Sequence, residues 1–240
     1  MALRLPRQTT LDERHAAWMR VIKRAADEQT KQGWRHRTFR LLRAVFNSNA
    51  QLSADGGFVF NWMAENYLDS ALMVVRRELD VQAGTENLRN LLEDIIEHPD
   101  VLTRARYLAQ WPADEHELAD HAFDSFNPTK IAGAPNRDHI NPLNVRSDLD
   151  KLEADAERLR IYAERTRAHR TPVQGIDNTT TFADLHKAIE DTREVVGKYH
   201  ALLTLGSIVD WEPQPMYDTF APFKSAWITD DAAVARKLDE

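Results

Sequence analysis

The chain has 240 residues, 42% of them apolar and 29% charged, which is enough to fill and coat a sizeable core and argues against disorder. Its formal net charge of −7 and sequence pI of about 5.7 weigh against a constitutive nucleic-acid coat protein. It has no cysteine, which excludes disulfides, thiolate metal sites and cysteine nucleophiles, and no apolar run long enough to span a membrane, so a cytoplasmic location is expected.

In chain order, the first predicted helix covers residues 11–30. It opens after Thr9-Thr10 with Asp12 and Glu13 in its first turn, and Trp18, Val21, Ile22 and Ala25 recur at helical spacing. A second helix is expected over 34–49, with Phe39, Leu42 and Phe46 on one side. The third, over 58–80, is the most hydrophobic. Leu68, Leu72, Val75 and Leu79 form a stripe that Val59, Met63 and Val74 widen, which predicts a central position in the fold.

A shorter helix over 86–98, with Leu88, Leu91, Leu92, Ile95 and Ile96, is stopped by Pro99. Residues 100–127 read as one or two short helices interrupted around Pro112, and 128–142 as the longest loop. A long helix is expected over 144–170, with Pro172 beyond it, and the last over 182–209. The tail from Trp211 is Pro-rich and reads as extended against the body. No strand and no repeat is evident. The expectation is all-α: one helical domain over 1–240, a bundle of long antiparallel helices with extra terminal segments.

Three constellations invite chemistry. His116, Glu117, Asp120 and His121 suggest a metal site, but zinc proteases need histidines at i and i+4, and here that position is Asp120. The segment therefore reads as surface, with no metal expected. Lys31, Arg35, Arg37, Arg40 and Arg43 make a basic run without an acid. Within it His36, Arg40 and Arg43 share a face beside Trp34, either as a nucleic-acid patch or as an ordinary solvated face.

The sharpest cluster lies between Arg158 and Arg170. At about 100° per residue, Leu152, Ala156, Leu159, Ala163 and Thr166 make a buried stripe, and His169 falls roughly 20° from Tyr162 and Arg158 and roughly 40° from Arg165. Arg160 and Arg167 project to the far side. A neutral imidazole can move a proton at cellular pH, a guanidinium can hold a phosphate, and a tyrosine can stack on a base. These residue types suit RNA cleavage by its own 2′-hydroxyl, without a metal. The plainer alternative is a basic last turn of the kind the helix dipole favours.

Two stretches carry a family resemblance. Tyr162-Ala163-Glu164-Arg165-Thr166-Arg167-Ala168-His169-Arg170 resembles the helix-ending pattern of acid, arginine, two residues and Ala-His-Arg in the abortive-infection AbiU-type branch of the HEPN superfamily. Arg77-Glu78-Leu79-Asp80, followed by Gly84-Thr85-Glu86-Asn87-Leu88, is similar to that branch's Arg-x-x-Asp signature before an Asn-Leu helix. The match spans about 34–205.

This resemblance implies a homodimeric helical bundle with the Arg/His segments of two subunits around a shared groove. It also implies a metal- and cofactor-independent endoribonuclease of phage-defence or toxin–antitoxin type, paired with an antitoxin or another defence partner. By position, His169 takes the acid/base role and Arg165 the phosphate. Tyr162, Arg158, Arg170 and Arg77 fall as substrate contacts, with Glu164 and Asp80 in support. The general superfamily pattern places its arginine further upstream, where this chain has Tyr162, Ala163 and Glu164. A non-catalytic binding or scaffold member of the same fold is the open alternative.

Overall fold

The computed structural model describes residues 9–48, 57–82, 84–127, 138–162, 181–208, 210–212 and 221, apart from the side chains at 156, 158 and 160–162. These residues form an all-α bundle. Its α-helices are α1 (Leu11–Ser48), α2 (Phe58–Glu78), α3 (Leu88–Glu97), α4 (Arg104–Leu108), α5 (His116–Phe126), α6 (Pro142–Tyr162) and α7 (Phe182–Thr204), with single 3-10 turns at Pro99–Val101 and Ala113–Glu115. Among the described residues there is no strand, only one isolated bridge between Thr103 and His139. No described helix is long and apolar enough to cross a membrane.

Helix α1 organises the rest. Its 38 residues span roughly 57 Å at about 1.5 Å per residue. The expected break between 30 and 34 does not occur, because the buried stripe of Trp18, Ile22, Ala25, Gln29, Gln32, Gly33 and Phe39 runs through it without interruption. Tertiary packing overrides the weak helix preference of Gly33.

Two helices in turn run antiparallel to α1. Helix α2 pairs with its C-terminal half (Phe39 on Tyr67, Arg77 on Glu28), and α3 with its N-terminal half (Arg24 beside Glu86, Arg14 on Asp94). Helices α6 and α7 complete the bundle as an antiparallel pair. Lys151 bridges Asp191 and Glu194, Lys187 reaches Asp155 at 2.7 Å, and Lys198 and the Tyr199 hydroxyl both bond Asp148.

The core has two lobes. The larger joins α1, α3, α5 and the ends of α6 and α7 around Trp18, Leu91, Ile95, Phe123, Leu149, Leu152 and Tyr199. The smaller joins Phe39, Tyr67, Leu72, Leu159, Leu185 and Ile189. This corrects the expectation that 58–80 is central. Tyr67, Ala71, Leu72, Val74 and Val75 are buried, but Phe58 is 78% exposed and Trp62 58% exposed. The helix covers the flank of α1, and its apolar breadth is partly turned outward.

Local chemistry sets the helix ends. The Asn87 side chain accepts the Asn90 N–H at the start of α3, and Thr181 and Asp184 form a reciprocal capping box at the start of α7. Helix α7 ends at Leu205, whose φ of 57° is left-handed, and the His200 ring N–H donates to the Gly206 carbonyl. The chain then returns across the bundle. The Trp211 backbone lies on Gly33 of α1, while its ring lies beside Gly197 of α7.

Candidate functional site

At the end of the bundle shared by α1, α2 and α7, four residues from distant parts of the chain converge. His36 projects from α1, Tyr67 from α2, His186 from the first turns of α7, and Glu212 from the returning tail. The His36 and His186 rings are 4.6 Å apart between centroids, and His186 Nε2 lies 3.2 Å from the Tyr67 hydroxyl. The Glu212 carboxylate sits 2.7 Å from His36 Nδ1, and its own N–H donates to Asp210. Arg193, about two turns further along α7 on the same face, points its guanidinium at the same carboxylate from 4.0 Å. An apolar floor fixes the geometry: Phe39 stacks on Tyr67 at 4.5 Å, with Leu159, Leu185 and Ile189 around them.

Burial tunes these groups. Desolvation pushes the Tyr67 phenol up to about 12, so its hydroxyl stays protonated. Desolvation, then the neighbouring His36 and Arg193, hold His186 below the ordinary imidazole value, with Glu190 and Glu212 pulling weakly the other way. Burial also lowers Arg193, opposed by Glu212, Tyr67, Glu190 and Asp210. A neutral imidazole beside a protonated phenol and a cation is an arrangement that can pass a proton and hold an anion.

The sign of the His186 effect on stability follows from its lowered pKa. Well above the ordinary histidine value the ring is neutral both folded and unfolded, and contributes no pH dependence. As pH falls through that value the unfolded chain takes up the proton first, so stability declines. We expect the melting temperature to fall more steeply between about pH 7 and about pH 5.5 in the wild-type protein than in His186→Gln. His15 and Glu78 are also shifted, but they act equally in both proteins. Identical slopes would show that the ring is not held neutral.

The residues singled out in the sequence fare differently. Leu152 and Leu159 are buried on the expected stripe of α6. Arg158 and Tyr162 are placed as backbone positions of that helix, and Glu164, Arg165, His169 and Arg170 lie outside the described residues. Arg77 is exposed and ion-paired to Glu28 at 2.8 Å, roughly 16 Å along α1 from Phe39 at about 1.5 Å per residue. Asp80 closes the turn after α2, its carboxylate accepting the Gln82 N–H and its carbonyl the Asn87 amide. In the same turn the buried Glu78 carboxylate accepts the Leu88 N–H. The Arg-x-x-Asp stretch therefore has a structural job here, remote from the end of α6.

His116, Glu117 and His121 are exposed on α5 and form no ligand cluster. Among the described residues, the one grouping with ligand spacing is Asp94, Glu97 and His98. Arg14 and the Trp18 indole already engage the Asp94 carboxylate, so that grouping carries no metal assignment. In the basic run, Arg35, Arg40 and Arg43 are exposed as expected, whereas His36 turns inward to the polar cluster.

Comparison with protein-family models, with curated proteins and with solved structures returned no match. The site therefore rests on its own residues. Tyr67, His186, Arg193 and Glu212 escaped the sequence reading because no local spacing joins all of them; with His36 they come from four separate segments that only the fold brings together.

Proposed function

We propose that this chain is a HEPN-type RNA-cleaving protein of the phage-defence or toxin–antitoxin kind, working as a homodimer, with His169 as acid/base and Arg165 as phosphate ligand. The observation that carries the reading is the position at which α6 ends. Leu152 and Leu159 pack inward, and the helix reaches Tyr162 at the lobe built from Phe39, Tyr67 and Leu185. The acid-Arg-x-x-Ala-His-Arg run follows directly in sequence. The same end of α1 presents Arg40 and Arg43 to solvent, a positive surface on which a phosphate backbone can lie.

The chemistry is balanced without a metal. An RNA 2′-oxygen attacks its neighbouring phosphorus and displaces the 5′-oxygen; an imidazole takes the 2′-proton, a guanidinium carries the added phosphoryl charge, and the departing 5′-oxygen takes its proton from an imidazolium or from water. Of the residues expected on the substrate side, Arg77 is engaged in the α1–α2 seam through Glu28, and Asp80, expected in support, closes the α2–α3 turn.

In chelator-containing buffer, His169→Ala and Arg165→Ala should each lower RNA cleavage by about 10²-fold or more while leaving the melting temperature nearly unchanged. If both variants cleave at the wild-type rate, the assignment fails. Should the wild-type chain bind RNA without cutting it, the non-catalytic reading, which the acid Glu164 favours, takes its place.

A further inference from the structure

The contacts around Glu212 are uneven. Its carboxylate makes one hydrogen-bond-length contact, 2.7 Å to His36 Nδ1. The two guanidiniums that face it, Arg40 and Arg193, both stand off at 4.0 Å. His36 and Arg40 lie one turn apart on α1, and Arg193 comes from α7, so three basic groups on two helices surround one small anion. The Arg193 side chain is only 11% exposed, yet its Nε and one terminal nitrogen have no hydrogen-bond partner among the described residues. A buried guanidinium normally fills its donors. The Glu212 carboxylate reaches only one of the three at hydrogen-bond length from where the tail holds it, whereas a free tetrahedral anion with three or four oxygens has an acceptor for each.

We propose that His36, Arg40 and Arg193 form a binding site for a tetrahedral oxyanion of the phosphate class, which Glu212 fills when no ligand is present. The filler arrives on a short strap. Residues 210–212 cross α1 and α7 after α7 has ended, so Glu212 can withdraw without unwinding a helix. A neutral His36 still donates one N–H to an anion, and Arg40, whose side chain is 61% exposed, forms the open wall of the site. The lowered pKa of Arg193 is consistent with a cation whose burial is incompletely offset. Glu190 and Asp210 are the other acids acting on this cation, and the Asp210 carboxylate is committed to the Glu212 N–H. This site shares no residue with the His169 and Arg165 assignment, and its test does not depend on RNA cleavage.

The test titrates the full chain at fixed ionic strength with inorganic phosphate and, in a second arm, with a short single-stranded RNA oligonucleotide. Glu212→Gln removes the internal anion. Glu190→Gln removes an equal charge from an exposed position of α7 whose carboxylate acts on Arg193 through space but forms no ion pair with His36, Arg40 or Arg193 among the described residues. Phosphate should bind Glu212→Gln at least about tenfold tighter than wild type, the size of one charge-assisted contact regained, while Glu190→Gln stays within about threefold. Adding Arg40→Gln to Glu212→Gln should remove the gain. A gain in the phosphate arm alone marks a free phosphate group as the ligand; a gain in both arms marks a phosphodiester.

No gain in either arm with Glu212→Gln folded, or an equal gain in Glu190→Gln, overturns the proposal. If Glu212→Gln does not fold, the wild-type protein decides by NMR. Inorganic phosphate should shift the His36 ring signals saturably, and less so in Arg40→Gln. Unshifted signals, or equal shifts in both proteins, would overturn it.

Discussion

Asp94→Ala should cost about 3–5 kcal/mol and leave the chain at the edge of folding, because it strands a buried cation. The Asp94 carboxylate takes two contacts from one Arg14 nitrogen, at 2.6 and 2.7 Å, and a third at 2.6 Å from the Trp18 indole N–H. Arg14 is 8% exposed and Asp94 1% exposed, so water cannot replace the lost partner. The pair ties the first turns of α1 to α3, whose Leu88, Leu91, Leu92 and Ile95 are all buried in the larger core lobe. Denaturant unfolding gives the loss directly. Arg14→Met with Asp94→Leu should recover much of it, since a matched apolar pair leaves no orphan charge. A single-variant loss below about 1 kcal/mol would mean the site is wetter than its geometry indicates.

Gly33→Ala should also destabilise, against the usual trend for a helix interior. Alanine in place of glycine ordinarily adds about 1 kcal/mol to a helix. Here the new Cβ would meet the Trp211 carbonyl oxygen at 1.7 Å and its carbon at 2.7 Å, both backbone atoms with nowhere to rotate. The strap would have to lift, uncovering the Trp211 ring that packs on the larger lobe and withdrawing Glu212 from His36. Removing a fully buried aromatic costs about 3–5 kcal/mol, so a half-buried one displaced against the helix gain leaves a net loss of about 1–2 kcal/mol. A melting temperature that rises in Gly33→Ala would show that the strap does not hold the tail against α1.

The fold is legible in the sequence where local patterns decide it. The pattern of Leu88, Leu91, Leu92 and Ile95 ahead of Pro99 reads as a short helix, and α3 is one, with the polar Asn90, Glu93 and Asp94 buried beside its apolar residues. The all-α class followed from repeated 3.6-residue spacing along most of the chain. Two errors share one cause. The break expected between 30 and 34 and the central place expected for 58–80 both ignore what packs against those segments. Gly33 is required by the Trp211 backbone, a contact between segments far apart in the chain. Phe58 and Trp62 lie beyond the surface that α1 can cover.

The candidate sites divide in the same way. The Arg158–Arg170 cluster is read from helical spacing within one segment, and its Arg165 and His169 lie outside the described residues. The cluster of His36, Tyr67, His186, Arg193 and Glu212 is not legible, since its members come from three helices and a tail. His36 was noticed, but as a member of the outward basic face; the Glu212 carboxylate and the stacked Tyr67 ring draw it inward.

The central claim is metal-free RNA cleavage, and the fate of a single-stranded RNA incubated with the purified full chain in excess chelator tests it most directly. Fragments should end in 2′,3′-cyclic phosphate and begin with a free 5′-hydroxyl, and a 2′-deoxy substitution should protect the bond that follows it. RNA that stays intact, or fragments that begin with a 5′-phosphate, would contradict it.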